Sequence, residues 1–189
     1  MERRRRSIRV KNFDYTSNMV YFVTICTWQR EMTLGAVNAN EVQLSPLGEI
    51  ARDLWLKIPQ HHPHVETDAL VVMPNHLHGV LTFVRRGLPW QTPGEPRSPT
   101  FGHRVPGSLG SVVGMFKSAV TKRARVLREN AELLVWQKNY FERVIRHGLE
   151  LNAVREYITS NPANWSQDAR ATSDLELHDW ALTSRAVVA

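Results

Sequence analysis

Two runs rich in β-branched residues, 65–73 (VETDALVVM) and 76–84 (HLHGVLTFV), are separated only by Pro74-Asn75. So short a link sends the second run back alongside the first, which predicts a hairpin and an antiparallel sheet. Residues 20–28 (VYFVTICTW) and the segment YFERVIR (140–146) have the same aromatic and β-branched character and supply two further strands. Helical patterning fills the gaps. In LSPLGEIARDLWLKIPQ (44–60), Ser45 is placed as N-cap, Pro46 suits the first helical position, and Leu47, Ile50, Ala51, Leu54 and Ile58 form an apolar stripe ended by Pro59. A second helix is expected from Ser108 to Glu129, with Val112, Val113, Phe116, Val120 and Ala124 on its apolar side. A third runs from Glu150 to Asn161 and stops at Pro162.

The resulting order is strand, helix, strand, strand, helix, strand, helix. It predicts an α+β fold: a ferredoxin-like split βαβ core with an antiparallel sheet and one added C-terminal helix. At 189 residues, one domain of ordinary size is expected. Its limits are set at 19–165, between a basic N-terminal arm (1–18) and a tail (166–189) with weak signals. Residues 85–107, dense in Pro, Gly and Arg, read as a long flexible loop inside it. Only a turn region is expected around Gly35 and Asn38.

The apolar runs are strand-sized, so no membrane span is expected. The N-terminal arginines have no apolar run behind them, against a secretory leader. One cysteine, Cys26, excludes an internal disulfide framework and a cysteine-based zinc site. Cytoplasmic residence is the expectation. A net charge of +6 with a pI near 9.9 favours an acidic partner. Arg3, Arg4, Arg5, Arg6, Arg9 and Lys11 crowd the arm, and Lys117, Lys122, Arg123, Arg125 and Arg128 recur along the second helix. Phosphate backbones are the usual target of such clusters.

Chemistry concentrates in two places. His76 and His78 alternate with Leu77, so on a strand both imidazoles face the same side and are able to share one divalent ion. Alone they are too few for a metal site, and a third ligand is needed from elsewhere. A rival cluster, His61, His62 and His64, is broken by Pro63 and reads as a loop. In ELNAVREYITSNPANW (150–165), Tyr157 and Asn161 stand four residues apart on one helix face. A phenol beside an amide oxygen suits phosphoryl transfer, with the tyrosine as nucleophile and the amide as a metal ligand. Tyr140 is its main competitor, and Tyr15 and Tyr21 are weaker ones. A histidine-triad hydrolase would need a third alternating histidine, where this chain has Val80.

Taken together, MPNHLHGVL, GSLGSVVGMFKSAVTKR, VWQKNYFERVIR and REYITSNPANW, with the N-terminal RRRSIRVKNFDYTSNMVYFVTICTWQRE, resemble the single-tyrosine HUH transposases. The likeness is greatest to the REP-associated tyrosine transposase branch and covers residues 3–165 apart from the loop at 85–106. The resemblance implies that His76 and His78 are metal ligands and that Asn161 stands where relatives place a polar third ligand. It implies that Tyr157 is the nucleophile that makes a 5′-phosphotyrosine bond with single-stranded DNA. It further implies Mg²⁺ or Mn²⁺ as cofactor, no nucleotide cofactor, hairpins of palindromic repeats as partner, and in some relatives a homodimer. Arg3, Arg4, Arg5, Arg6, Arg9, Lys117, Lys122 and Arg123 are the candidate DNA contacts, and Trp28, Trp90 and Trp136 the candidate stacking platforms. The alternative is a hairpin-binding protein that has lost cleavage.

Overall fold

The computed structural model describes residues 19–84 and 107–167. The arm arginines Arg3, Arg4, Arg5, Arg6 and Arg9, Tyr15, Trp90, residues 85–106 of the expected loop and the tail from 168 lie outside the described residues. The core is a four-stranded sheet of β1 (Met19–Cys26), β4 (Val65–Met73), β5 (His76–Phe83) and β6 (Phe141–Ile145) in the order β4-β5-β1-β6. Every neighbouring pair is antiparallel. With α1 (Pro46–Leu56) and α3 (Leu109–Leu127) as the crossovers, this is the split βαβ order expected from the sequence. The helix α4 (Gly148–Ser160) follows β6 as the added C-terminal element. Among the described residues no helix is long and apolar enough to cross a membrane.

Period-two alternation divides the sheet between two cores. Tyr21, Val23, Ile25, Val72, Leu77 and Leu81 face α1 and α3, where Trp55 meets Phe116 edge to face at 5.2 Å. Gly79 is required there, because a Cβ at that position would stand 2.3 Å from Trp55 Cζ2. Phe22, Val80, Ile145 and Val71 face the other way and are covered by Leu151, Val154, Tyr157 and Ile158 of α4. α4 is thus the helix of this second core, and whatever the sheet presents on that face lies beneath it.

The helix starts follow local chemistry. Ser45 Oγ accepts from the Gly48 N–H at 3.1 Å and donates to the Thr33 carbonyl at 2.7 Å. Ser108 Oγ accepts from Ser111 N at 3.3 Å, and His147 Nδ1 accepts from Glu150 N at 3.2 Å, so α4 begins two residues earlier than its periodicity suggests. Pro59 does not end the first helix. α1 stops at Leu56, and Pro59 sits in the first turn of the short α2 (Ile58–His61), where a missing N–H is harmless.

The supposed turn around Gly35 and Asn38 is a separate hairpin, β2 (Gly35–Asn38) and β3 (Glu41–Leu44). Ala39 and Asn40 both adopt positive φ, 49° and 66°, the combination that lets a two-residue loop follow strand twist. Its strands are short and half exposed, so hydrophobic periodicity did not mark them.

Candidate active site

His76 and His78 open β5 and are fully buried. The register sets His76 opposite Cys26 of β1 and Met73 of β4, and His78 opposite Thr24 and Val71. Both imidazoles project to the α4 face, with ring centroids 4.6 Å apart. Phe22 stacks on His78 at 5.1 Å. Buried polar rings need partners, and each finds one at Nδ1. His76 Nδ1 lies 2.8 Å from Asn75 Oδ1, and His78 Nδ1 lies 2.8 Å from Thr24 Oγ1. An amide oxygen only accepts, so the contact at Asn75 Oδ1 is one in which His76 Nδ1 donates.

Tyr157 enters this space from α4. Its hydroxyl is 3.3 Å from His78 Nε2, and its ring meets those of His78 at 5.3 Å and Phe22 at 6.0 Å. Two charge pairs fix the helix that carries it. Arg155 sets Nη2 2.6 Å from Asp68 Oδ2, with Nε 3.2 Å from both carboxylate oxygens. Asp68 lies at a register shift of β4, between Thr67 and Leu70, where the strand breaks from its partner. At the other end Glu150 pairs with Arg143 of β6 at 2.6 Å and accepts from Arg146 N at 3.0 Å. Arg155 holds the Asp68 carboxyl below the usual carboxylate range. For Glu150, burial pushes up, but the Arg146 N–H and the Arg143 charge outweigh it and the net shift is downward.

Asn161 forms the C-cap of α4 and is buried, and its Oδ1 has no hydrogen-bond partner among the described residues. A buried amide oxygen left this way is costly unless something else binds it. Trp165, one turn later, brings its indole to within 6.0 Å of the His76 ring. Among the described residues no cluster of three or more His, Cys, Asp or Glu side chains is able to hold a metal. The neutral donors at hand are the two buried imidazoles and, one helical turn past Tyr157, the buried Asn161 amide oxygen, with further positions left to substrate or water. That mixed, partly open set fits a divalent cation.

The other candidates are placed elsewhere. Tyr140 packs against the α1/α3 core, and a Cβ on Gly110 near the start of α3 would be 3.6 Å from its hydroxyl, so it stands on the opposite face from the histidines. Tyr21 belongs to that core too and donates to Met19 Sδ. His62 and His64 lie at the far end of the sheet, where Val65 pairs with Phe83, and His64 Nε2 is 3.2 Å from the Gly107 carbonyl. His62 is shifted down, by burial first and then by its neighbours His64 and His61.

Lys117 donates to the carbonyls of Gln137, Lys138 and Asn139 at 2.6, 3.3 and 3.2 Å, so its ammonium ties α3 to the segment leading into β6. Lys122 and Arg123 are exposed on α3. Trp28 is 37% exposed, but Trp136 is only 7% exposed and packs on Phe116, which removes it as a platform for bases. Sequence reasoning missed Thr24, Asn75 and Trp165. Asn75 stands in the turn and Trp165 one turn past Asn161, which are weak local signals, while Thr24 depends on strand register.

No family model matches the chain. An uncharacterised protein of Haemophilus influenzae is 38% identical over 170 residues, covering 87% of this chain and 91% of the relative. The chain belongs to the same family as that protein. Among solved structures, a REP-associated tyrosine transposase bound to a REP hairpin matches with a TM-score of 0.54 at 19% identity, over 87% of this chain and 74% of that one. At that identity the likeness is one of fold: this chain has the fold of a REP-associated tyrosine transposase.

Proposed function

We propose that the chain is a metal-dependent single-stranded DNA endonuclease and strand transferase that binds palindromic repeat hairpins and cleaves through a 5′-phosphotyrosine intermediate. The observation that carries this reading is the Tyr157 hydroxyl, 3.3 Å from Nε2 of a histidine in a fully buried pair. The shared fold supports it, since the transposase of that fold is bound to a REP hairpin.

In this mechanism His76 Nε2, His78 Nε2 and Asn161 Oδ1 would hold Mg²⁺ or Mn²⁺. When bound, the ion supplies positive charge that polarises the phosphoryl oxygen and offsets the charge developing on it. Tyr157 Oη attacks phosphorus and the P–O3′ bond breaks. The phenol proton passes to water, and the departing 3′-oxygen gains one as a free hydroxyl. Attack of a 3′-hydroxyl on the phosphotyrosine reverses the step and joins strands. α4, fixed by Arg155–Asp68 and Arg143–Glu150, limits how far the phenol is able to stray from the histidines.

Tyr157 already meets His78 of its own chain, so the proposed chemistry needs no exchange of α4 between copies in a homodimer. Lys122 and Arg123 sit on the helix across the sheet from α4. They would hold a hairpin stem, together with the arm arginines, rather than the scissile phosphate.

The test is a covalent-adduct assay with Mn²⁺ or Mg²⁺ and a labelled single-stranded oligonucleotide bearing a repeat hairpin from the source genome. A metal-dependent, denaturation-resistant shifted band is expected. It should vanish in Tyr157→Phe and His76→Ala and persist in Tyr140→Phe. Hairpin binding with no adduct in any metal would replace this reading with the binding-only alternative.

A further inference from the structure

We infer that Thr24 and Asn75 are positioning residues that lock both histidines in one tautomer, Nδ1 protonated, so that both Nε2 lone pairs face the space beneath Tyr157. The inference rests on the proposed metal-dependent reaction for its purpose, and on the geometry of the metal-free chain for its content. Both Nδ1 atoms lie 2.8 Å from a neutral oxygen of a buried residue. For His76 the partner decides the matter, because the Asn75 amide oxygen has no proton to give.

For His78 both ring nitrogens face hydroxyls, Thr24 at Nδ1 and Tyr157 at Nε2. A phenol is a far stronger hydrogen-bond donor than an aliphatic alcohol. Tyr157 therefore donates to Nε2, and the Thr24 hydroxyl receives the Nδ1 proton. Thr24 is held to this duty by strand pairing, since it is the direct cross-strand partner of His78. Asn75 is held by the turn, its carbonyl accepting from both Thr27 N and Thr27 Oγ1 at 2.9 Å. Neutral partners suit a site meant for a cation and an anionic phosphate, because they orient the rings without adding a fixed charge.

The experiment is ¹⁵N NMR of histidine-labelled, metal-free protein, which distinguishes the two imidazole tautomers directly, with Mn²⁺ affinity measured by calorimetry on the same samples. Wild type should show Nδ1-protonated signals for His76 and His78. Thr24→Val keeps the β-branched shape but removes the oxygen. It should move His78 into a mixture of tautomers and weaken Mn²⁺ binding by about 10- to 100-fold, the usual penalty for losing a partner behind a ligand. Thr24→Ser, which restores a hydroxyl, should recover both readouts. A His78 that keeps its tautomer and its Mn²⁺ affinity in Thr24→Val would overturn the inference, as would an Nε2-protonated wild type. If wild type held no Mn²⁺, the nuclease reading would fail, while the tautomer spectra would still decide this inference.

Discussion

At the residue scale, the site is a set of short-range choices imposed on buried side chains. Tyr157→Phe removes only the hydroxyl near His78 Nε2 and leaves the ring on Phe22, so the stability loss should stay within about 1 kcal/mol by urea unfolding. The same variant should lose the DNA adduct while retaining hairpin affinity. Gly79→Ala tests the other side of β5: its Cβ would press on Trp55 at 2.3 Å, and overpacking of this kind destabilises by about 1–3 kcal/mol. A urea midpoint unchanged from wild type would contradict that packing. That His76 and His78 share a face was legible from the strand period, whereas the meeting of Tyr157 with His78 was implied only by the family resemblance. Thr24 was not, because its role depends on which residue of β1 lies opposite His78, and no local pattern encodes register. Trp136 misled for a related reason, since its burial comes from packing on a distant helix.

At the scale of elements, α4 is the piece on which the account depends. Its apolar stripe was legible, yet its start came from His147 as an unanticipated cap, and its lateral ties from charge pairs 87 and 7 residues apart in sequence. Asp68 and Glu150 both have folded-state pKa values lowered from the ordinary carboxylate range. Their contribution is therefore complete above the unfolded carboxylate pKa, about 4, and is lost as pH falls through the folded values. Hydrogen exchange of α4 amides, corrected for intrinsic rates, should show protection constant from pH 5 to 7 (roughly) and falling below about pH 4. Arg155→Asp should weaken α4 protection and slow adduct formation, and Asp68→Arg added to it should restore part of both. Equal protection in the single and double variants would show that the pair does not hold the helix. The β2–β3 hairpin marks the limit of periodicity: four-residue, half-exposed strands carry too little pattern to be distinguished from a turn.

Across the whole molecule, the sheet separates the proposed reaction face from the helix that carries Lys122 and Arg123. One face carries the histidines under a single helix, and the other carries α1 and α3, with Lys122 and Arg123 exposed on α3. Replacing both cations with alanine should weaken hairpin binding uniformly across sequences and lower the slope of log affinity against log salt by about one per residue. Fluorescence anisotropy at several salt concentrations measures this, and an unchanged slope would remove α3 from the DNA surface. The order of core strands and helices was readable from the chain because turn length and hydrophobic period constrain topology strongly.

The most direct test of the central claim is to identify the residue that bears the DNA. The adduct would be formed with Mn²⁺, digested with nuclease and trypsin, and sequenced by mass spectrometry. The account predicts a nucleotide 5′-phosphate on Tyr157, in the tryptic peptide beginning at Glu156. The same modification on Tyr140, Tyr21 or a serine, with Tyr157 unmodified, would contradict it.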